Sequence, residues 1–417
     1  MKIAIIGAGV SGNTLGWHLN KQHDVTVFEA NAHIGGHTHT HQVEAFGRQY
    51  QIDTGFIVYN NWTYPNFIHL LDELGVETQS SSMSFSVKDE SSGLEYNGTS
   101  LNSLFAQRLN LLRPSFIGMI KDILRFNKEA PALLEDHQTD MPFGEYLKDN
   151  RYGQHFIKHY VIPMGSAIWS ASPEQMFSFP AKFFIRFFHN HGMLSVSDRP
   201  EWRVIKGGSH AYVGKLTQPF KDRIKLNTGI ESVCRTQDGV SVKPKKKPAE
   251  SFDWVFFACH SDQALAMLDD ATKDEIEVLG AIPYQSNQIV LHTDVNLMPK
   301  KKLAWAAWNY HLTTQPLRLA AVTYNMNILQ SLESPEPFLV TLNHTDKIDP
   351  SKIIKTLQYT HPVFTPQGIA AQARHAEISG VNRTGYAGAY WRNGFHEDGV
   401  VSALAALEHF NQATARK

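Results

Sequence analysis

The sequence predicts an α/β fold in which a parallel-sheet domain is interleaved with a smaller domain of mixed sheet and helices, and three observations carry that prediction. The chain has 417 residues, above the size at which a single hydrophobic core stops growing, so two domains or one interleaved pair is expected. Its first residues run Ile3-Ala4-Ile5-Ile6 straight into glycines, which reads as a buried parallel strand entering a tight turn. A second short apolar run, "DVTVFEA", follows one helix-length later. Composition fits a globular protein, with 42% hydrophobic and 19% charged residues, and 39 Lys and Arg against 40 Asp and Glu. That balance leaves no global field for nucleic acid.

The first strand is followed by Gly7-Ala8-Gly9-Val10-Ser11-Gly12 and then by the helical "NTLGWHLNKQ", so G-x-G-x-x-G stands between a strand and a helix. Gly7 permits the tight turn, Gly9 lets the backbone approach a pyrophosphate, and Gly12 lets the helix pack close on the strand. A diphosphate would sit at the helix N-terminus, beside Ser11, where free N–H groups and the dipole favour an anion. "DVTVFEA" ends in Glu29, about 20 residues after the glycines, where a carboxylate accepts ribose hydroxyls and repels a 2′-phosphate. A Rossmann-like domain binding FAD or NAD, rather than NADP, is expected.

The next stretch, "NAHIGGHTHTHQVE" (31 to 44), has two readings. His37, His39 and His41 alternate with threonines, so on a strand their imidazoles share one side, a geometry suited to zinc or copper. Placed after Glu29 and Gly35-Gly36, the stretch reads instead as a cofactor loop. No nearby Cys or carboxylate pair completes a metal set, and no metal is expected.

The two cysteines, Cys234 and Cys259, are far apart, which excludes a disulfide framework and fits a reducing, cytoplasmic setting. No apolar stretch reaches the roughly 18 to 20 residues of a membrane-spanning helix. The Phe-rich "MFSFPAKFFIRFFHNHG" (176 to 192), with Lys182 and Arg186 interleaved, fits either a core helix with snorkelling cations or a helix lying on the inner membrane. The basic runs "KPKKKP" (243 to 248) and "PKKK" (299 to 302) read as solvated turns or as contacts for anionic headgroups.

An acid followed within a few residues by a Gly-Gly loop resembles the flavin-containing amine oxidase superfamily, and that resemblance selects FAD over NAD. The family's loop usually reads Arg-x-Gly-Gly-Arg, with the last Arg near the FAD phosphates; here His33, Gly35, Gly36 and His37 stand in those places. "IDTGFIVYN" (52 to 60) is similar to the segment that sets a glycine beside the flavin, with Asp53, Gly55 and Phe56 as its candidates. "WRVIKGGSHAYVGKL" (202 to 216) resembles the turn before the return to the FAD domain. In "IKLNTGIESVCRTQDGVSV" (224 to 242), Val233 falls where the family clasps adenine through its backbone, and "FDWVFFACH" (252 to 260) matches the following buried strand. "NRTGYAGAYWRNGFHEDGVVSALAAL" (382 to 407) resembles the closing signature, carried by Gly388, Asp398 and Val400, with Ala389 where the usual acid stands. The helix from Gly399 would direct its N-terminus at the flavin and stabilise negative charge there.

Together "GGHTHT", "WRVIKGGS" and "GFHEDG" look like a bacterial branch of predicted NAD/FAD-binding, amine-oxidase-like proteins associated with fatty-acid modification. The resemblance implies an FAD-binding domain from residues 1–75, 200–280 and 375–417, and a substrate-binding domain from 76–199 and 281–374. It implies an FAD-dependent oxidoreductase, an oxidase or desaturase acting on a lipid-like, fatty acyl or amine substrate. A flavin-dependent isomerase or mutase, and a non-catalytic FAD-bound partner of a lipid-modifying enzyme, are the alternatives. FAD should be noncovalent, since no cysteine lies beyond Cys259.

Phe395 falls where the family places one aromatic of its substrate cage. The strand expected to carry a lysine near the flavin, "YQSNQIVLHTD" (284 to 294), has none, which leaves Asn287 or His292 nearest. "LAWAAWNYH" (303 to 311), with Asn309 and Tyr310, fits a substrate wall or a core strand equally. His396, Glu397 and Asp398 adjoin the flavin-facing helix and are candidates for moving a proton, with helix capping as the plainer role for Asp398. His361 is a further candidate for the site.

Overall fold

The opening strand is the middle of the sheet that organises the molecule. The computed structural model describes residues 1–136, 140–315 and 317–415, and in it β1 (Lys2–Ile6) leads into α1 (Val10–Leu19) and β2 (Asp24–Phe28). β1 pairs in parallel with β2 on one side and with Trp254–Phe257 on the other; Ile224–Lys225 and Thr384–Tyr386 add the two edges, again in parallel. The three central strands converge because their mostly apolar runs, residues 3–6, 25–28 and 254–257, are buried by a sheet covered on both faces. Ile3, Ile5, Val25, Val27, Val255 and Phe256 are indeed fully buried.

One face of this sheet packs on α1 and on the C-terminal helix His396–Ala415 through Leu15, Ala403, Ala406 and Phe410. The other face meets an antiparallel meander (Ile230–Arg235, Val240–Pro244, Glu250–Phe252) and the helix Lys273–Gly280. This is the parallel α/β arrangement that the sequence predicts.

A second sheet has seven strands of mixed direction, from the edge strand Ile353–Pro362 through Tyr284–His292 to Phe85–Asp89 and Glu95–Asn97. Helices from Leu101–Leu104 to Ala181–Asn190 cover one of its faces, joining Val87, Tyr96 and Tyr310 to Phe116, Phe126 and Phe156 in one core. The Phe-rich stretch is a core helix, Ala181–Asn190: Phe184 stacks on Phe143 at 4.0 Å and on Phe188 at 4.2 Å, while Arg186 faces solvent. Phe184, Phe187 and Phe188 are buried inside the protein, and Phe183 is half-buried against the same core. No helix among the described residues is long and apolar enough to cross a membrane. The 243–248 run starts at the end of the strand Val240–Pro244, where Lys243 pairs with Glu231, and continues as an exposed turn over 245–248.

The two sheets are bridged by a hairpin, β3 (Thr40–Ala45) and β4 (Arg48–Asp53), and by α2 (Pro65–Glu73). The hairpin turns on Phe46-Gly47, both with positive φ (51° and 71°), the geometry that matches the twist of a two-residue loop.

Candidate active site and cofactor cradle

Three glycine turns stack backbone on backbone beside β1. A Cβ on Gly12 would overlap the Gly7 carbonyl oxygen, and Gly7 itself sits at φ 108°. Gly35 donates its N–H to the Ala8 carbonyl at 2.8 Å, and a Cβ on Gly36 would lie 3.2 Å from the Gly9 Cα. A Cβ on Gly55 would overlap the His37 carbonyl oxygen, which also accepts the Phe56 N–H at 2.8 Å. Around a Cβ on Gly9, by contrast, there is nothing within 4 Å. α1 starts there with no side chain capping it and no acid in its first turn, so its leading N–H groups face open space.

Glu29 is nearly buried at the end of β2; it accepts the Ala8 N–H at 2.8 Å and the backbone and side-chain N–H groups of Asn31. A second helix N-terminus arrives alongside: the Ser11 hydroxyl donates to the Gly399 carbonyl at 2.9 Å, and a Cβ on Gly399 would press on Val10. Two positive helix ends therefore meet at one place. This arrangement fits a flavin dinucleotide, with space over Gly9, an uncapped α1, Glu29 for a ribose, and a buried His37 Nε2 that has no partner among the described residues. α1, Glu29 and His37 would hold it.

Other residues expected at the cofactor have their polar groups engaged within the protein. Asp53 is a clasp: its carboxylate accepts from the Thr40 hydroxyl, the Ser209 N–H and hydroxyl, and the Gln330 amide, and burial raises its pKa to about 6. Ser11 offers only its backbone N–H, its hydroxyl being committed to Gly399. Gly388 donates its N–H to the Ser402 hydroxyl, and the Tyr390 ring covers it. The carbonyl of fully buried Val233 accepts the Asp269 N–H, so that clasp is made within the protein. Val400 is packed in the apolar cluster with Phe67 and Tyr212.

The first turn of the C-terminal helix pins several elements together. His396 Nε2 lies 2.9 Å from the Thr38 hydroxyl and 2.8 Å from that of Tyr212, and its ring stacks on Phe56 at 3.4 Å. Burial lowers its pKa well below the usual histidine value, and these contacts pin the turn to Thr38, Phe56 and Tyr212. Glu397 accepts the N–H groups of Asn66 and Phe67 at the start of α2. Asp398 accepts those of Asn393 and Phe395, as its capping role requires, and burial raises its pKa to about 6.

A cavity of about 380 Å³ opens against this turn, lined by Trp62, Tyr64, Asn190, His191, Arg392, Phe395 and Asp398 among others. Phe395 stacks on Phe187 at 5.2 Å, which fixes its ring at the wall. The His191 Nδ1–H donates to the Phe187 carbonyl at 2.9 Å, making Nε2 the lone-pair nitrogen, and burial lowers the pKa to about 4. His191 and Arg392 were not legible in the sequence, because only packing of the Phe-rich helix end against the turn at 392–398 brings them together.

Three candidates lie elsewhere. His292 donates to the Thr341 hydroxyl at 2.7 Å and accepts the Asp294 N–H, within a fully buried polar chain. Its position, an odd number of residues from Asn287, puts it on the opposite face of the strand. Asn309 staples its own turn, exchanging hydrogen bonds with Ala306 and donating to the Thr323 carbonyl. Tyr310 is buried in the helical core, so its face of the strand Trp308–Leu312 packs against the helices. Asn287 instead donates to His361, 5.4 Å ring to ring from His37.

The histidine face of residues 33–41 meets the edge strand. His33 stacks on His39 at 3.9 Å and His39 lies against His41 at 4.0 Å. Tyr359 is 3.1 Å from His39 Nδ1 and Lys355 is 3.2 Å from His41 Nδ1. Burial and mutual repulsion lower His39 to about 3, and burial with Lys355 lowers His41 to about 4. Among the described residues no group of three His, Cys, Asp or Glu side chains is arranged to hold a metal ion.

Residues 10–330 match the family model of flavin containing amine oxidoreductases. A search of curated protein sequences found no match. Among solved structures, cyclohexylamine oxidase from Brevibacterium oxydans IH-35A is similar at TM-score 0.68 and 15% identity, over 99% of each chain. A fatty acid isomerase from P. acnes that produces CLA is similar at 0.69 and 17%, over 97% of this chain and 98% of that one. Putrescine oxidase bound to putrescine is similar at 0.67 and 14%, over 98% and 99%. At these identities the likeness is one of fold.

Proposed function

The chain belongs to the flavin-containing amine oxidoreductase family, and from that membership we propose that it holds FAD noncovalently and oxidises a small amine seated in the cavity beside Phe395 and Asp398. The observation that carries this reading is the polar wall of the cavity, where Asn66, Asn190, Arg392 and Asn393 stand beside the carboxyls of Glu397 and Asp398. An ammonium gains from carboxylates held at the edge of such a cavity, whereas an acyl chain gains nothing from so polar a wall.

Bound FAD supplies a two-electron acceptor for hydride leaving the substrate carbon. The rest is done by the chain. α1 and Glu29 hold the dinucleotide end, and Phe395 orients the substrate carbon against a flat wall. Asp398, ionised above about pH 6, faces the ammonium. The His191 Nε2 lone pair, fixed by the Nδ1–H bond to the Phe187 carbonyl, accepts a hydrogen bond from the substrate nitrogen, and the proton the ammonium gives up passes to solvent at the cavity mouth. No cysteine lies beyond Cys259 in the chain, and burial pushes the Cys259 thiol up to about 12, which disfavours the thiolate.

Anaerobic mixing with primary amines and with fatty acids tests the reading. Flavin bleaching by amines, slowed by Asp398→Asn and His191→Gln, is the expected result. Bleaching by acyl substrates alone would overturn the amine assignment. Turnover with the flavin still oxidised would indicate a redox-neutral isomerisation, which the likeness to a fatty acid isomerase makes the second reading.

A further inference from the structure

The helical block carries an apolar surface that the described fold leaves bare. Leu101, Leu109 and Leu112 are 76%, 71% and 81% exposed, and Leu111 is half exposed. They come from the helix Leu101–Leu104 and the 3-10 turn Arg108–Leu112, tied together by the Arg108 guanidinium, which donates to the carbonyls of Asn102 and Phe105. The burial order of this turn is inverted, since polar Asn110 is fully buried while the leucines around it point out. A turn built for water would do the opposite.

The charge around the leucines has one sign. Arg108 and Arg113 are exposed among them, and no acidic residue occurs between Glu95 and Asp122. Glu95 is itself buried, its carboxylate taken by the backbone N–H groups of Lys300 and Lys301. That anchorage brings exposed Lys300, Lys301 and Lys302 to the same place, and the turn Lys302–Ala304 packs on the helix Leu101–Leu104. Leu303, 41% exposed, adds one more apolar side chain.

We propose that this face docks on an anionic lipid surface. Leu109, Leu111 and Leu112 enter the headgroup layer, while Arg108, Arg113 and the three lysines meet lipid phosphates. Insertion and attraction act together, and neither needs the Phe-rich helix.

Co-sedimentation of the full-length, flavin-loaded protein with mixed phosphatidylglycerol and phosphatidylcholine vesicles, and with pure phosphatidylcholine vesicles, tests it. Binding to the anionic vesicles should fall with added salt. It should fall about tenfold or more in Leu109→Ser/Leu112→Ser and in Lys300→Glu/Lys302→Glu, with flavin content and thermal midpoint unchanged. Failure to sediment with the anionic vesicles would overturn the proposal, as would binding that neither pair alters. Light scattering supplies the remaining outcome: a dimer that the leucine pair dissolves, without vesicle binding, would give the face to a second copy and overturn the lipid assignment.

Discussion

Residues 33–41 make two contacts of opposite kind with one short stretch of chain. On one side Gly35 and Gly36 lie on Gly9 with no side chain between them. On the other, His37, His39 and His41 mesh with Lys355, Tyr359 and His361 of the edge strand. The glycine contact has a single solution, because any Cβ displaces backbone. The histidine seam has many solutions, and the one used here is made of groups that change charge in mild acid. The first contact should answer to sterics and the second to pH.

The largest effect expected is at Gly12. Gly12→Ala drives a methyl into the Gly7 carbonyl and should cost about 3 kcal/mol or more, seen as a lower thermal midpoint together with lost flavin absorbance. Gly9→Ala points into open space and should fold normally while losing flavin. If the two variants behaved alike, the distinction between a packed and an open glycine would fail.

Next is Asp53, which joins the hairpin to the turn before helix His210–Thr217. Asp53→Ala strands several buried donors and should cost about 2 to 3 kcal/mol by urea unfolding.

The seam itself is tested by acid. His39 and His361 are lowered to about 3, and His37, His41 and His260 to about 4, chiefly by burial. The unfolded chain therefore binds more protons than the folded one below the ordinary histidine value of 6.5, and stability falls as pH drops from about 6.5 towards 4. Asp53 and Asp398, raised to about 6, act the other way, because the folded state takes up protons first. With His191, His292 and His375 also lowered to about 4 by burial, eight histidines against two carboxyls predict a thermal midpoint lower at pH 5 than at pH 7. A flat profile would mean that the seam opens without consequence. The smallest effect belongs to Cys259→Ser, which should leave a flavin that acid precipitation still releases into solution.

The parts legible from sequence were those fixed by neighbours along the chain. Strand, glycines, helix, strand and Glu29 form a local code, because Gly12 answers the Gly7 carbonyl a few residues back and Glu29 takes the Ala8 N–H. Asp53, Ser11 and Gly388 are expected at the cofactor, but which partner takes a polar group is set by Ser209, Gly399 and Ser402, far away in sequence. His292 could have been excluded by counting, since strand residues five apart face opposite ways. The Phe-rich helix could not be settled, because an amphipathic helix looks the same whether Phe143 or lipid meets it. The leucines of the Arg108–Leu112 turn gave no signal at all, being too short a run to show a period.

The central sheet has a consequence in time. β1 is made first, yet its partner Trp254–Phe257 and the edge strand Thr384–Tyr386 arrive only after the whole helical block has been synthesised. Local helical contacts form quickly, whereas parallel pairing across such distances is slow and leaves an open, apolar strand edge meanwhile. The helical block should therefore be structured while β1 still waits. The place where two helix ends meet over the glycine turn would be the last part of the molecule to exist, and a chain short of flavin would show it first as aggregation during synthesis.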